Sequence, residues 1–544
     1  MGGAGLFGKG IGCDGKGVGA GAASCAVWAG SSLCDCFHSR SPGPTRLVME
    51  ARGVAMMLTW ALPLLLLLPT LGVVAIALGS DPRKTALGVS LLNFIPAFLV
   101  SGVVLREGEI LFGPEVSTLR EVFPIQFRLG CDGLSLPLVW LTLVVTLAAM
   151  GVARAEVKRS KEYFICLLLV GLGGLGAFLS VDLFYFFSFH EVALIPSFLL
   201  IGIWGQGDRT GAAWRMTIYL MLGSLLLLLG LLGLVFAVPE ISRTLDWRVL
   251  TETLRAQPLG VKHQTILAAL LLIGFGTLVS LVPFHSWAPG GYASAPAPAV
   301  MLHAGVLKKF GLYGLLRLAL SMTPLGWKEI SWVVGLMLAG NILYLGMASL
   351  AQRDFRWLLG FSSAMHMGTL FLGLIGGTVL GLGGALVLMV GHGLSAALGF
   401  AVAGEIGHRT GTTWMQDLGG LAKKAPKLWF YLMIAGMASI GLPGMANFAG
   451  EIMIFFGAWS THPILVGIAA WGVVLSSVAM LRAIRSISSG PVSAAMTAQQ
   501  TSDLQGAREV WPYALLTALL FAVGFIPNLI LGPARPVLER LIQP

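Results

Sequence analysis

Long apolar segments recur along this sequence from residue 54 to near its end, and they restrict the chain to folds that suit a lipid bilayer. A helix needs about 20 mostly apolar residues to cross the hydrocarbon layer. With 56% hydrophobic and 11% charged residues, the composition is far from that of a soluble globular protein. Residues 225–235 show none of the alternation that membrane β-strands require. The sequence therefore predicts an all-α integral membrane protein.

Fourteen segments have the length and composition of membrane-spanning helices, joined mostly by short loops. They are predicted at residues 54–78, 85–105, 133–154, 162–181, 182–204, 213–238, 263–283, 298–321, 331–350, 357–375, 380–404, 428–457, 463–484 and 511–531. Glycine and proline interrupt two spans: Pro283 and Gly290 the seventh, Pro443 and Gly444 the twelfth. Two discontinuous helices predict an inverted repeat with its conduction site between the halves. A simple proline kink is the alternative for each.

The first 48 residues differ from the rest of the chain. They are rich in glycine, contain four of the six cysteines, and lack the apolar core of a signal peptide. The stretch GIGCDGKG at residues 10–17 falls short of a phosphate loop, and the cysteine spacing matches no common metal site. We therefore predict a disordered tail or a misassigned start at residues 1–48, and a single polytopic membrane domain at residues 49–544.

The distribution of lysine and arginine predicts the orientation of the spans. Loops that follow odd-numbered spans hold sixteen of these residues, and loops that follow even-numbered spans hold nine. By the positive-inside rule the first group is cytoplasmic, which places both termini on the outer face. Four basic residues in the tail, Lys9, Lys16, Arg40 and Arg46, disagree with that placement. The net charge of +10 is thus a property of membrane loops, and we expect no nucleic acid partner.

Ionisable side chains are sparse inside the predicted spans. One such charge costs roughly 2.5–3.5 kcal/mol on insertion scales, so each needs a functional or a pairing explanation. The candidates in chain order are His190, Glu191, Arg215, His303, Lys308, Lys309, His366, His392 and Glu451. Buried carboxyl, ammonium and imidazole groups can exchange protons near neutral pH. The sequence therefore predicts a path for protons.

Structural explanations compete with this prediction to different degrees. A lone histidine in a span, such as His303, is often only a hydrogen-bonding contact between helices. Lys308 and Lys309 are adjacent, about 100° apart on a helix, so one of the two can be a structural partner. For Glu191 and Glu451 the structural explanation is weakest, because their apolar neighbours in sequence offer no partner.

Four segments together resemble the antiporter-like subunit M of bacterial respiratory complex I, the homologue of subunit 4 of the mitochondrial enzyme. They are LGCDGLSLPLVWLT from Leu129, EVALIPSFLLIGIWG from Glu191, AGVLKKFGLYGLLR from Ala304 and GLPGMANFAGEIMIFFGAW from Gly441. FSSAMHMG and GHGLSAALGF, which contain His366 and His392, support them. The resemblance covers about residue 54 to the end.

This resemblance implies a proton-pumping subunit of NADH:quinone oxidoreductase with fourteen helices and two inverted five-helix repeats. The expected location is the bacterial inner membrane, beside other membrane subunits that include neighbouring antiporter-like subunits. It implies that the chain has no redox site and binds no cofactor. NADH, FMN, iron–sulfur clusters and quinone would be used by other subunits of the complex.

The resemblance also implies roles for single residues. Glu191 matches the glutamate of helix 5, Lys309 the lysine of helix 8, and Glu451 the glutamate of helix 12. His366 and His392 match relay positions between them.

Three positions depart from the family pattern. Arg215 stands where the family has a lysine at the start of helix 6. Leu278 stands where it has a lysine that pairs with the helix 5 glutamate, so Lys308 or Arg215 is a candidate partner for Glu191. The segment GGYASAPAP from Gly290 replaces an Asp-Ala-His sequence. Three alternatives therefore stay open: a subunit of an Mrp-type cation/proton antiporter, a subunit of a hydrogenase- or ferredoxin-linked complex, and a scaffold with an inactive channel.

Overall fold

The computed structural model describes residues 60–113, 125–498 and 502–542, which are overwhelmingly helical. The helices are α1 (Ala61–Ala77), α2 (Pro82–Glu107), α3 (Leu136–Val152), α4 (Ser160–Leu179), α5 (Leu183–Trp204), α6 (Arg209–Phe236), α7 (Trp247–Ala256), α8 (Val261–Val279), α9 (Trp287–Ser294), α10 (Ala297–Met322), α11 (Pro324–Ala351), α12 (Phe355–Ile375), α13 (Val379–Thr410), α14 (Leu421–Lys424), α15 (Pro426–Ser439), α16 (Ala446–Trp459), α17 (Pro463–Ser488), α18 (Ala494–Ala498), α19 (Gly506–Phe525) and α20 (Asn528–Ile542). The predicted tail at residues 1–48 lies outside the described residues.

Eleven helices in the described ranges are long and apolar enough to cross a membrane. Two shorter apolar helices, α1 and α3, and the paired half-helices α15 and α16 occupy the other predicted positions. The multi-pass membrane architecture is thereby confirmed. The exact number of fourteen crossings stays a prediction, since α1 and α3 have 17 residues each and a helix of that length reaches only about 26 Å.

The last span differs most from its prediction, which placed it at residues 511–531. Helix α19 ends at Phe525. Pro527 follows two residues later, and its missing amide hydrogen prevents the helical hydrogen bonding from continuing. A separate helix, α20, then begins at Asn528. Because the sequence stays apolar from α19 into α20, hydropathy alone did not predict the turn between them.

A small sheet was not predicted from the sequence. Strand β1 (Glu109–Phe112) pairs antiparallel with β2 (Leu129–Asp132). The sheet lies between α2 and α3 in the chain, and β2 ends at Asp132, just before the start of α3.

Both predicted interruptions are present. Helix α8 ends at Val279 and the chain resumes a helix at Trp287, while α15 ends at Ser439 and α16 begins at Ala446. At each break two consecutive amides just past the end of the helix donate to carbonyls three and five residues earlier, at 2.8–3.1 Å. These bonds run from Ser280 to Thr277, from Leu281 to Gly276, from Gly441 to Ala438 and from Leu442 to Met437. The two breaks share one local geometry, and the inverted repeat itself stays a prediction.

Helices α10 and α13 form the centre of the bundle. The most apolar 18-residue windows of both are 100% buried, whereas the corresponding window of α6 is 44% buried. Side chains on the two central helices are therefore shielded from lipid by other helices. Polar groups placed there can be satisfied by protein partners, which is the arrangement that membrane interiors require.

Candidate functional site

Helix α10 carries both lysines at the centre of the bundle. It contains two π-helical segments, His303–Leu307 and Leu315–Ala319. A π-helical turn bonds each amide to the carbonyl five residues back, and such turns are frequent at functional sites. Lys308 and Lys309 directly follow the first segment, and both are 0% exposed.

The two lysines are held by neutral groups and point to different partners. The Lys309 ammonium donates to the carbonyl of Ala304 on its own helix, at 2.5 Å. The Lys308 ammonium donates to Ser363 Oγ on α12, at 3.5 Å, and lies 4.8 Å from the centre of the Tyr292 ring. Within the described ranges, neither ammonium forms an ion pair. Lys308 is thus the lysine that reaches another spanning helix.

A row of polar side chains continues from Lys308 to Glu451. Ser363 Oγ lies 3.1 Å from His392 Nε2 on α13. The His392 ring stacks on that of His366, with 5.4 Å between centroids. His366 Nε2 lies 3.9 Å from Glu451 Oε1 on α16. We call Lys308, Ser363, His392, His366 and Glu451 the polar row, and each member is at most 5% exposed.

The break between α15 and α16 positions the far end of this row. His366 Nε2 lies 2.9 Å from the carbonyl of Ser439, the last residue of α15, and Nδ1 lies 2.7 Å from the carbonyl of Ser362. Gly441 has φ +72°, and a β-carbon there would overlap the Glu451 carboxylate. Glycine is needed at this position both for the left-handed backbone and for the space that Glu451 occupies.

A small cavity adjoins the middle of the row. It has a volume of 20 Å³, and its polar lining includes Ser362, Ser363, His392 and Ser395. A cavity of this size and polarity has room for about one water molecule. Water at this point would connect hydroxyl and imidazole groups that do not bond directly.

Glu191 lies apart from the polar row. Its side chain on α5 is 35% exposed, and His190 Nδ1 lies 3.3 Å from its Oε1. Ser224 on α6 is another polar side chain next to the carboxylate. No lysine or arginine among the described residues pairs with Glu191, and Leu278 is buried at 3% exposure.

The proposed substitutes for the missing lysine do not serve as partners of Glu191. Lys308 belongs to the polar row, as described above. Arg215 is exposed, and one of its guanidinium nitrogens would lie 3.8 Å from a β-carbon at Gly290. The expectation that one of these two residues replaces the lysine opposite Glu191 is wrong for this structure, because packing turns both toward other helices.

The site also contains Ser363 and Tyr292, which contact Lys308. The sequence analysis predicted neither of them. Ser363 has a usable signal, since it lies three residues before His366 and so shares a helix face with it. Tyr292 belongs to the segment from Gly290 that departs from the family pattern. The resemblance therefore implied no role for this tyrosine. Its contact with Lys308 depends on how α9 packs against α10.

Arg317 is one of the nine basic residues counted above in loops after even-numbered spans, although the predicted span 298–321 contains it, and the loop assignment is wrong. It lies in α10 at 5% exposure, bonds to Asp132, and places its guanidinium carbon 4.8 Å from the centre of the Trp247 ring. Burial acts to raise the pKa of Asp132, but the Arg317 guanidinium and the amides of the following turn hold that pKa below its ordinary value. The Arg317–Asp132 pair keeps both charges at the C-terminal part of α10 paired, which a count of loop charges cannot reveal.

Comparison with known proteins was made on sequence and on fold. The family described as "NADH:quinone oxidoreductase/Mrp antiporter, TM" matches residues 180–478. NAD(P)H-quinone oxidoreductase chain 4-1 of Synechocystis is 32% identical over 475 residues, which cover 86% of this chain and 89% of that protein. NADH-quinone oxidoreductase subunit M of Rickettsia prowazekii is 29% identical over 489 residues, covering 87% and 97%.

Solved structures show the same fold. A chain of respiratory complex I from Thermus thermophilus superposes with a TM-score of 0.79 at 26% identity, covering 89% of this chain and 99% of that one. A chain of the Mrp complex from Dietzia superposes with a TM-score of 0.78 at 19% identity, covering 90% and 98%. The chain therefore belongs to the NADH:quinone oxidoreductase/Mrp antiporter family of transmembrane proteins, as an antiporter-like subunit of the M type.

Proposed function

We propose that this chain translocates protons as a membrane subunit of NADH:quinone oxidoreductase, and that the polar row is the path. The observation that carries the proposal is the sequence of contacts from Lys308 through Ser363, His392 and His366 to Glu451. It crosses four spanning elements without reaching lipid. Five buried groups that can each hold or pass a proton have no comparable purpose in a purely structural core.

The chemistry of the row suits stepwise transfer. A neutral lysine accepts a proton, and the serine hydroxyl both accepts and donates, so Ser363 can pass a proton from Lys308 to His392. Each imidazole takes a proton at one nitrogen and releases one from the other. Because like charges repel strongly in a buried site, a proton that reaches Lys309 favours release from Lys308. In this proposal the charge on Lys309 drives release from Lys308, and Glu451 is the outlet of the row.

Glu191 supplies the uptake end in this proposal. Its carboxylate is half-buried rather than sealed in the core, which suits a group that takes up protons. Arg215 lies at the exposed start of α6 and contributes charge on that side of the subunit.

The surroundings of the chain follow from the same proposal. The likenesses are to chains of multi-subunit membrane complexes, so we propose other membrane subunits, including neighbouring antiporter-like subunits, as partners. The chain would lie in a bacterial inner membrane with both termini on the outer face. It would bind no redox cofactor, while NADH, FMN, iron–sulfur clusters and quinone act in other subunits.

Glu451→Gln tests the proposal in the intact complex reconstituted into vesicles. Glutamine keeps the shape but cannot release a proton, so we expect proton pumping per NADH oxidised to fall at least about threefold. Glu191→Gln is expected to act in the same direction. Glu539→Gln is the matched control, since that side chain is 44% exposed and pairs with Arg535 on α20. Unchanged pumping in Glu451→Gln would remove the basis of the proposal.

A subunit of an Mrp-type cation/proton antiporter is the second candidate, favoured by the joint family description. Sodium-dependent proton exchange in vesicles without any quinone reductase would support it. A subunit of a hydrogenase- or ferredoxin-linked complex would instead be identified by the electron-transfer subunits that co-purify with the chain. Normal assembly and pumping in a Glu191→Gln/Glu451→Gln variant would indicate a scaffold with an inactive channel.

A further inference from the structure

A second group of buried polar residues lies next to Lys308 and is not part of the polar row. It comprises Tyr292 on α9 and His303 on α10, which we call the tyrosine–histidine pair. Tyr292 is 1% exposed and His303 is 4% exposed. The two side chains meet at Tyr292 Oη and His303 Nδ1, at 3.1 Å.

The π-helical segment of α10 brings this pair to Lys308. His303 is the first residue of the segment, and the Lys308 amide donates to its carbonyl, five residues back. Residues five apart diverge on an α-helix but come onto one side where the turn widens to the π form. Tyr292 contacts both: its hydroxyl meets His303, and the Lys308 ammonium lies 4.8 Å from its ring centre. One tyrosine thus fixes the imidazole beside the lysine.

His190 on α5 lies against α10, the helix that carries His303. Its ring stacks on Phe310 of α10, with 4.9 Å between ring centroids. His190 is also among the groups close enough to act electrostatically on the His303 ring. Thus both histidines lie where α5 meets α10, and His190 Nδ1 is the nitrogen next to Glu191.

Unused hydrogen-bonding capacity remains on both histidines. In the described part of the chain, Nε2 of His303 and Nε2 of His190 are buried and have no hydrogen-bond partner. Buried polar atoms are almost always paired, so two such atoms on neighbouring rings require an explanation. A water molecule between them, or a proton in passage, satisfies both.

We propose that His190 and His303 carry protons from Glu191 to Lys308, in place of the lysine that the family has at position 278. The inference rests on the proposed function of the polar row. A proton leaves the Glu191 carboxyl and binds His190 at Nδ1, while the proton on Nε2 passes to His303 Nε2. His303 then releases the proton on Nδ1 toward neutral Lys308, which becomes an ammonium. Tyr292 is a positioning residue that holds the His303 ring.

The deciding variants are His303→Leu and Glu451→Gln, compared in the intact complex in vesicles. His303→Leu breaks the connection to Glu191, so we expect pumping per NADH oxidised to fall at least about threefold, as in Glu451→Gln. The matched control is His263→Leu, which changes an exposed histidine on α8. Adding Leu278→Lys to His303→Leu is expected to restore at least half of the lost pumping, because it supplies the alternative carrier. If His303→Leu fails to assemble, His303→Gln replaces it, since glutamine keeps a hydrogen bond to Tyr292 but carries no proton.

The outcomes separate the two proposals. Normal pumping in the assembled His303 variant together with loss in Glu451→Gln overturns the inference and leaves the proposed function intact. Normal pumping in both overturns both. Tyr292→Phe keeps the ring and removes the hydroxyl, so we expect a fall of about twofold and a shifted pH profile of pumping. An unchanged pH profile would contradict the positioning role, because a merely structural tyrosine leaves that profile in place.

Discussion

The two helix breaks have nearly the same backbone and quite different chemistry around it. After α8, Asn341 on α11 closes the break: its Oδ1 accepts from the Val282 amide at 2.6 Å, and its Nδ2 donates to the carbonyls of Ser280 at 3.1 Å and Ala364 at 2.8 Å. After α15, the last carbonyl, that of Ser439, lies next to His366, and Glu451 packs against Gly441. A neutral amide satisfies the backbone of the first break, although His285 also lies in that stretch, whereas titratable side chains lie against the backbone of the second.

This difference explains where a proton path can end. Any break in a spanning helix frees backbone groups that must find partners. An asparagine side chain satisfies them and cannot change its charge, so Asn341 is a purely structural partner of the first break. Imidazole and carboxylate satisfy the same requirement and can also take up or release a proton. We infer that the side chains that bond the freed backbone groups, rather than the interruption of the helix itself, determine whether a break takes part in proton conduction.

Asn341→Leu should have the largest effect on stability. It leaves the Val282 amide and the Ser280 carbonyl without this partner, whereas Ala364 keeps the hydrogen bond of its own helix. At about 1–3 kcal/mol for each of the two groups, the free energy of unfolding should fall by about 2–6 kcal/mol. Unfolding by denaturant in mixed micelles measures it. Gln257→Leu is the control, because that glutamine is exposed and its loss should stay within about 0.5 kcal/mol. Equal effects in the two variants would show that Asn341 does not close the break.

Gly441→Ala should have a smaller effect on stability and a clear effect on function. The left-handed backbone costs an alanine about 1–2 kcal/mol, and its β-carbon would displace the Glu451 carboxylate. We expect reduced stability of about that size and a shift of the pH profile of pumping, measured on the reconstituted complex. A pH profile that stays in place would mean that Glu451 does not depend on this break for its position. Gly490→Ala is a suitable control, since Gly490 also has a positive φ (91°) but nothing lies near its β-carbon position.

Sequence reasoning succeeded where one segment suffices to decide the structure. The apolar length of each span and the glycines and prolines of the two breaks are properties of continuous stretches, and the structure has helices and breaks at those places. Glu451, His366 and His392 were predicted as members of a path, and the structure brings them together. Their function as a path is what the variants above test.

The remaining features depend on packing between segments. Asn341 closes a break some sixty residues away in sequence, and nothing around it in the sequence indicates that partner. Arg317 was counted as a loop charge, and the partner that stabilises it within α10, Asp132, lies on a strand far from it in the chain. The π-helical segments have no recognisable composition, yet they decide which residues of α10 face one another. The absent lysine at Leu278 was correctly noticed, but its replacement depends on how α5, α9 and α10 meet.

Ser280→Gly should have the smallest effect on stability, and it tests the comparison of the two breaks at the first break. Ser280 holds φ +65°, the same left-handed region as Gly441, although a serine adopts it only at a cost of about 1–2 kcal/mol. Glycine relieves that cost but makes the unfolded chain more flexible, so we expect a net change in the free energy of unfolding of about 0.5 kcal/mol in favour of the variant. Denaturant unfolding measures it, and pumping should be unchanged because, in the described part of the chain, the Ser280 hydroxyl bonds to the Val279 carbonyl and to no titratable side chain. A loss of pumping in Ser280→Gly would mean that the first break also takes part in conduction, and the contrast between the breaks would have to be abandoned.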